Sequence, residues 1–212
     1  MIPQPTICNW NAERKTVSLW FHQDERGWNG EYYMRGGICW PQEIRTEMGM
    51  DVQGYALVAG LDMRKQTLTV FAETNFKAID HFVSQDSGII ETLGLCSWFN
   101  DVRGKFCCDG FYYREEPEHH RIHVMQVHAS AMVQPKPHFI EVYAEDDLMQ
   151  ARLVAWLSSG RLTYNADQGL HQALQRYEVS TQMGTPLYLP ALRAMQAVCV
   201  GLDRHPPKRK IV

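Results

Sequence analysis

Two apolar segments joined by a short polar turn constrain the fold of this chain most. Residues 55–61, YALVAGL, are continuously apolar, as expected for a strand that is covered on both faces. The polar stretch MRKQ follows, and residues 67–73, TLTVFAE, then alternate well enough for a second strand. Asp62 lies at the end of the first strand, where it either starts the turn or presents a carboxylate at the mouth of a sheet. Glu73 faces either that same site or water.

Downstream patterns predict further strands that alternate with helices. Strands are predicted at residues 76–83, 107–116 and 138–144, and helices at 87–106, 145–160, 167–178 and 190–204. Residues 118–133 fit either a helix or a strand, and a helix is favoured. Three adjacent strands followed by alternating elements predict an α/β fold, whose mixed sheet begins as an antiparallel meander and then adds parallel strands.

The helix at residues 145–160 has the clearest signals. Acidic residues occupy its first turn, and Gly160 marks its C-terminal end. Its predicted apolar side consists of Leu148, Ala151, Leu153, Ala155 and Trp156.

The N-terminal part of the chain has a different, aromatic character. Val17, Leu19 and Phe21 alternate as in a strand, and residues 31–40 predict a second strand of a β-hairpin. The pair Gly36-Gly37 indicates either a β-bulge or a close backbone approach. We therefore expect residues 1–53 to form a β extension packed on the main domain, residues 54–205 to form that domain, and residues 206–212 to form a basic tail.

Composition excludes several classes of protein. The 212 residues carry a net charge of −3, so binding to DNA would need a local basic patch. The six cysteines form no CxxC pair, which favours free thiols in a reducing cytosol. Neither a signal-peptide pattern nor an apolar stretch of membrane-spanning length is present, so we expect a cytoplasmic protein without a membrane partner. The chain has no GxxxxGK[ST] segment, which excludes an ATP-driven motor within it.

Several short segments carry a resemblance to a known family. Ala151-Arg152-Leu153, the SGRL step at residues 159–162, ALQRY at 173–177 and Pro190-Ala191-Leu192 occur in this order, and residues 58–71, VAGLDMRKQTLTVF, lie upstream. This arrangement resembles the nuclease domain of phage terminase large subunits over about residues 54–205. The resemblance implies a ribonuclease-H-like sheet and a DNA endonuclease that uses Mg²⁺ or Mn²⁺. It also implies DNA and other phage packaging proteins as partners, in the host cytoplasm.

The resemblance also implies positions for metal-binding carboxylates on the first strand, the fourth strand and the last helix. Asp62 would be the first-strand ligand, and Glu115 or Glu116 the fourth-strand ligand, with Asp109 at the start of that strand as a further candidate. Two divalent cations about 3.5–4 Å apart would clamp the attacking water and the leaving oxygen of the phosphodiester. Glu115 and Glu116 also lie in REEPEHH, a charged run typical of solvated surface.

The last helix departs from the family pattern. Ala191 and Ala194 occupy the places where the family has acidic residues, so the third carboxylate is unidentified. The alternative hypothesis is therefore a non-catalytic relative that binds nucleic acid or protein. His119 and His123, four residues apart, suit either a zinc pair on a helix or two exposed histidines.

Overall fold

The computed structural model describes residues 28–29, 32–40, 44–46, 49–51, 53–77, 93–114, 137–166, 169–183 and 189–207. The strands are β1 (Trp28–Asn29), β2 (Tyr32–Cys39), β3 (Ile44–Thr46), β4 (Gly49–Asp51), β5 (Gln53–Asp62), β6 (Thr67–Lys77), β7 (Gly110–Arg114), β8 (His138–Val142) and β9 (Leu162–Thr163). The helices are α1 (Leu93–Phe106), α2 (Asp146–Ser158), α3 (Gly169–Met183) and α4 (Pro190–Arg204).

Seven strands form one mixed sheet. Its order is β8-β7-β2-β5-β6-β9, and β1 pairs with β2 beside this path. The pairs β2–β5 and β5–β6 are antiparallel, whereas β2–β7, β7–β8 and β6–β9 are parallel. Strands β3 and β4 form a separate two-stranded sheet. The predicted α/β class and the mixed sheet, antiparallel first and parallel afterwards, are confirmed.

Strand β2 lies inside the main sheet and does not belong to an extension packed against it. It pairs antiparallel with β5 from Tyr32 opposite Asp62 to Cys39 opposite Tyr55, and β7 lies parallel on its other side. Six of its eight residues are buried, as expected for a strand covered on both faces. The expected boundary at residue 53 therefore does not separate β2 from the main domain. The strand predicted around residues 17–21 lies outside the described residues.

The pair Gly36-Gly37 marks a close approach on both faces of β2. A β-carbon on Gly36 would lie 2.0 Å from the Phe111 ring, and one on Gly37 would lie 2.1 Å from the carbonyl oxygen of Ala194. The pairing of β2 with β5 runs through both glycines without interruption. The close-approach interpretation of this pair is thus confirmed for β2, and the bulge interpretation is wrong.

Hydrophobic clusters lie on both faces of the sheet. In one cluster, α1 packs on sheet residues such as Ile38 and Phe111 and on Trp40. In the other, α4 packs on the opposite face of the sheet. Helix α4 has the bounds predicted from Pro190, and nearly all of its side chains between Ala191 and Leu202 are buried. A helix that is apolar on all sides must be covered on all sides. Accordingly, α4 lies between the sheet and helices α2 and α3. Within the described ranges, no helix is both long and apolar enough to cross a membrane.

Helix α2 turns a different side to the core from the one that the sequence predicts. Its buried residues are Met149, Leu153 and Leu157. Of the predicted apolar side, Leu153 is buried and Trp156 half-buried, whereas Leu148, Ala151 and Ala155 are exposed. The prediction is wrong for these three residues, because apolar side chains occupy both sides of the helix and packing against α4 selects one. Gly160 ends the helix as predicted, with a φ of +65°.

Candidate functional site

Asp62 closes the tight turn between β5 and β6. Its Oδ1 accepts the backbone N–H groups of Arg64 at 2.9 Å and Lys65 at 3.0 Å, and its carbonyl accepts the N–H of Gln66 at 2.8 Å. Its side chain is only 2% exposed, and its Oδ2 lies 3.9 Å from the Lys65 ammonium. One carboxylate oxygen is therefore occupied by the turn and the other faces a cation. This geometry favours the turn role that the sequence left open for Asp62.

Asp109 lies between α1 and β7 and is half-buried. Its backbone carbonyl accepts the N–H of His138 at 2.6 Å, which helps to align β8 with β7. Strand β2 separates β7 from β5, so the backbones of Asp109 and Asp62 lie about two strand spacings, or roughly 10 Å, apart. The structure does not place these two acids on adjacent strands.

The carboxyl end of β7 lies at the opposite edge of the sheet from Asp62. Asp62 pairs with Tyr32 at the beginning of β2, whereas Arg114 ends β7, which runs parallel to β2. The seven residue steps along β2 correspond to about 23 Å. Glu115 and Glu116 follow Arg114 in the sequence but lie outside the described residues, as do His119 and His123.

A cluster of three charged side chains occupies the edge at which β7 and β8 end, called here the carboxyl edge. Asp146, the first residue of α2, accepts hydrogen bonds through the same Oδ1 from Arg114 and from Arg193. Arg114 ends β7, and Arg193 belongs to the first turn of α4. The carboxylate therefore joins a strand end to the beginnings of two helices. No sequence signal identified this cluster, because its members lie 32 and 47 residues apart.

The two guanidinium groups dominate the electrostatics of Asp146. The hydrogen bond from Arg193 is the largest influence that lowers the pKa of the Asp146 carboxyl, and Arg114 acts in the same direction. Asp147 and Glu145 lie beside it and are exposed. Acids at the beginning of a helix are also favoured by its dipole. The cluster thus holds α2 against the sheet by charge-assisted hydrogen bonds.

Glu73 is a half-buried acid that serves the fold. Its Oε2 accepts hydrogen bonds from the Tyr55 hydroxyl and, at 2.9 Å, from the backbone N–H of Leu170 in the first turn of α3. Burial raises the pKa of Glu73 to about 7, and the Leu170 hydrogen bond opposes that shift only in part. The sequence left open whether Glu73 faces a site or water. In the structure, the Glu73 carboxylate instead lies at the N-terminus of α3.

The described acids do not fit a pair of divalent cations. Across the ranges with described side chains, no group of three or more His, Cys, Asp and Glu residues lies close enough together to hold a metal ion. Hard cations prefer several oxygen ligands. Asp62 instead accepts turn amides, and the carboxyl edge presents two guanidinium groups with a single carboxylate between them.

Comparison with known proteins adds no family assignment. No protein-family model matches the chain, and no curated protein sequence matches it significantly.

Proposed function

We propose that this chain is a ribonuclease-H-like domain, related to terminase nucleases, that serves as a non-catalytic interaction module. The strand order supports this proposal. Strands β2, β5 and β6 form an antiparallel meander, and β7 and β8 add in parallel beside β2. A meander followed by parallel strands is the plan that the terminase resemblance implies. In that plan β2 takes the place of the first strand, and β5, which carries Asp62, takes the second.

This assignment leaves the expected ligand positions on the first strand and at the start of the last helix without acids. The first strand, β2, reads YYMRGGIC, and the fourth strand, β7, reads GFYYR. The last helix begins PALR. None of these described stretches contains Asp or Glu, although Glu115 and Glu116 follow β7 outside the described residues. Two divalent cations need several carboxylates to hold them.

The observation that carries the proposal is the cluster at the carboxyl edge. It lies where the fourth strand ends and the last helix begins, which are two of the places from which such a fold supplies metal ligands. Arg114 and Arg193 bring two positive charges there, and Asp146 compensates one of them. A divalent cation about 6 Å from one guanidinium would be repelled by roughly 5 kcal/mol at an effective dielectric constant of about 20. The cluster therefore opposes metal binding.

Exposed hydrophobic side chains support an interaction role. Among the described residues, the large hydrophobic side chains that are exposed are Tyr143 at 73%, Leu148 at 40% and Val154 at 47%. All three lie within twelve residues of one another, at the end of β8 and along α2. Grouped exposed apolar residues mark protein interfaces more often than isolated ones do. Glu145 and Asp147 lie on the same segment and disfavour the phosphate backbone of DNA.

A nicking assay tests the absence of nuclease activity. Supercoiled plasmid is incubated with Mn²⁺ and the wild-type protein, with Asp62→Asn, or with Glu115→Gln/Glu116→Gln. Asparagine retains an oxygen that can accept the turn amides but removes the charge that a metal needs. Asp101→Asn, at an exposed position on α1, is the matched control. We expect no metal-dependent nicking by any of these proteins.

Thermal unfolding provides a second measurement that does not depend on turnover. A metal that binds the folded state raises the unfolding temperature in proportion to the logarithm of its concentration. We expect Mn²⁺ to leave the unfolding temperature of the wild-type protein unchanged relative to Asp101→Asn. Nicking by the wild-type protein that Asp62→Asn or the double glutamine variant abolishes would refute the non-catalytic assignment.

A further inference from the structure

We propose that the docking of α3 on the sheet is a pH-sensitive switch, in which a protonated Glu73 keeps α3 docked and an ionised Glu73 promotes the local opening of α3. The groups that form this switch are Glu73 on β6, Tyr55 on β5 and the first turn of α3, from Gly169 to His171. This regulatory role goes beyond the interaction role proposed above and does not depend on it.

A single carboxylate oxygen joins β5, β6 and α3. The N–H groups in the first turn of a helix have no acceptor within the helix, and that of Leu170 donates to Glu73 Oε2 at 2.9 Å. The Tyr55 hydroxyl donates to the same oxygen. A β-carbon on Gly169 would lie only 2.7 Å from this hydroxyl. The beginning of α3 therefore lies in close contact with the sheet at Glu73.

The other oxygen of this carboxylate makes the docked state sensitive to charge. Glu73 Oε1 is shielded from solvent and accepts no hydrogen bond within the described part of the chain. A shielded carboxylate oxygen without a donor has lost its hydration, which disfavours the ionised form. Burial accordingly raises the pKa of Glu73 to about 7, and the hydrogen bond from Leu170 opposes this shift only in part. An opening that admits water to Oε1 therefore favours the ionised form.

His171 is the other titratable group that α3 brings to this contact. Its Nδ1 is shielded from solvent and has no hydrogen-bond partner in the ranges that the structure describes. Its ring lies against that of Tyr164, with 5.9 Å between the centroids. A proton gained by His171 in acid would oppose docking, whereas a proton gained by Glu73 supports it. The two groups therefore act in opposite directions as the pH changes, and an experiment can separate them.

The packing of α3 allows it to open without the rest of the fold. Its buried side chains among residues 169–178 are Leu170, Ala173 and Leu174, whereas Gln172 and Gln175 are exposed. Helix α4, by contrast, is buried along most of its length between the sheet and its neighbours. Elements that bury few apolar side chains open at a lower cost in free energy than the whole domain does. Opening of α3 would leave the pairing of β5 with β2 and β6 intact.

The size of the effect follows from the two states of Glu73. In the docked state its pKa is about 7, and in an open, hydrated state it returns to the ordinary value of 4.5. The docked state thus holds the proton more tightly, so loss of the proton favours opening. Between pH 5 and pH 8 the equilibrium constant for opening should rise by up to about 70-fold.

Hydrogen exchange with mass-spectrometric detection at pH 5, pH 6.5 and pH 8 measures this opening segment by segment. Each rate is corrected with an unfolded peptide for the intrinsic pH dependence of amide exchange. We expect the protection of α3 to fall by up to about 70-fold between pH 5 and pH 8. The protection of β5 and α4 should fall much less.

Four variants assign the loss of protection to its cause. Glu73→Gln keeps a hydrogen-bond acceptor but cannot ionise, so it should abolish the loss in α3. Glu178→Gln, the same change at a position on α3, is the matched control and should retain the loss. His171→Gln should retain it as well. Tyr55→Phe removes a donor to the ionised carboxylate, so it should deepen the loss at pH 8, and it tests the switch even if Glu73→Gln does not fold.

Several results would overturn the switch. One is a wild-type protein whose α3 has the same protection at pH 5 and pH 8. A second is an equal loss in a folded Glu73→Gln variant, or a loss that His171→Gln alone abolishes. A third is a loss that is as large in β5 and α4 as in α3, because Glu73 would then act only on global unfolding.

Discussion

Replacing Glu73 by Gln should make the stability of the fold much less dependent on pH. Glu73 lies on β6, and its carboxylate accepts the Leu170 N–H at the beginning of α3 and the Tyr55 hydroxyl. Its Oε1 is shielded from solvent and has no hydrogen-bond partner in the described structure. Burial thus penalises the charged form more than the hydrogen bonds compensate it.

The direction and size of the effect follow from the raised pKa. The folded-state pKa of Glu73 is about 7, above the ordinary value of 4.5, so the folded protein holds this proton more tightly than the unfolded chain does. Its stabilising contribution is complete below pH 4.5 and is lost as the pH rises through 7. A shift of this size corresponds to about 3 kcal/mol in the free energy of unfolding. Part of the side chain reaches solvent, so this figure is an upper bound.

Urea unfolding followed by tryptophan fluorescence at several pH values measures this contribution. We expect the free energy of unfolding of the wild-type protein to fall by up to about 2.5 kcal/mol more between pH 5 and pH 8 than that of Glu73→Gln. The difference between the two proteins isolates the carboxyl, since histidines and other titrating groups occur in both. Glu178→Gln, the same change at a position on α3, is the matched control. Equal pH dependence of the wild-type protein and Glu73→Gln would refute this account of the buried carboxyl.

Three further substitutions test other parts of the structure, each by urea unfolding. Asp62→Ala removes the acceptor of two turn amides and should cost about 1–2 kcal/mol, whereas Asp62→Asn should cost distinctly less; equal losses would contradict the turn role. Gly37→Ala places a methyl group within 2.1 Å of the Ala194 carbonyl oxygen and should cost more than about 3 kcal/mol in the free energy of unfolding or prevent folding. A variant of normal stability would show that α4 does not pack this closely on β2. Asp146→Asn should lower the free energy of unfolding at neutral pH. Because the pKa of Asp146 is lowered in the folded state, this loss should vanish as the pH falls below that pKa. A destabilisation by Asp146→Asn that persisted at acidic pH would show that lost packing, and not the lost charge, is its cause.

Elements with strong local signals were predicted from the sequence. Helix α4 begins at Pro190 and ends at Arg204 as expected, because proline is favoured at the first turn and the apolar residues of this segment leave little alternative. Gly160 likewise ends the α2 segment in a left-handed conformation. The strands on both sides of Asp62 were predicted because a continuous apolar run and an alternating run flank a polar turn. In these cases the residues that decide the structure are neighbours in the sequence.

The position of β2 could not be predicted in this way. Its partners β5 and β7 lie about 20 and 75 residues downstream, and no local pattern identifies which strands will pair. The glycines at 36 and 37 contained the relevant information, since they make room for Phe111 and for α4, but the alternative of a bulge was equally open from the sequence. Misplacing β2 made β5 the first strand of the expected sheet, and Asp62 was therefore assigned a place near the other acids. The structure places Asp62 beside the beginning of β2, about 23 Å along the sheet from the end of β7.

The same limitation applies to the cluster at the carboxyl edge, whose members come from β7, α2 and α4. The acids in the first turn of α2, Asp146 among them, were interpreted only as a helix-start signal, and Arg193 was given no role. In the structure the two residues form an ion pair, because the Arg193 guanidinium reaches the Asp146 carboxylate at the beginning of α2. The cluster fixes the first turn of α2 to the end of β7, while packing of Leu153 against α4 fixes the middle of the helix. Together these contacts direct the exposed Leu148 and Ala151 away from the sheet. The place where a nuclease of the proposed fold would hold metal is thus, in this chain, the anchor of the helix that carries the proposed interaction surface.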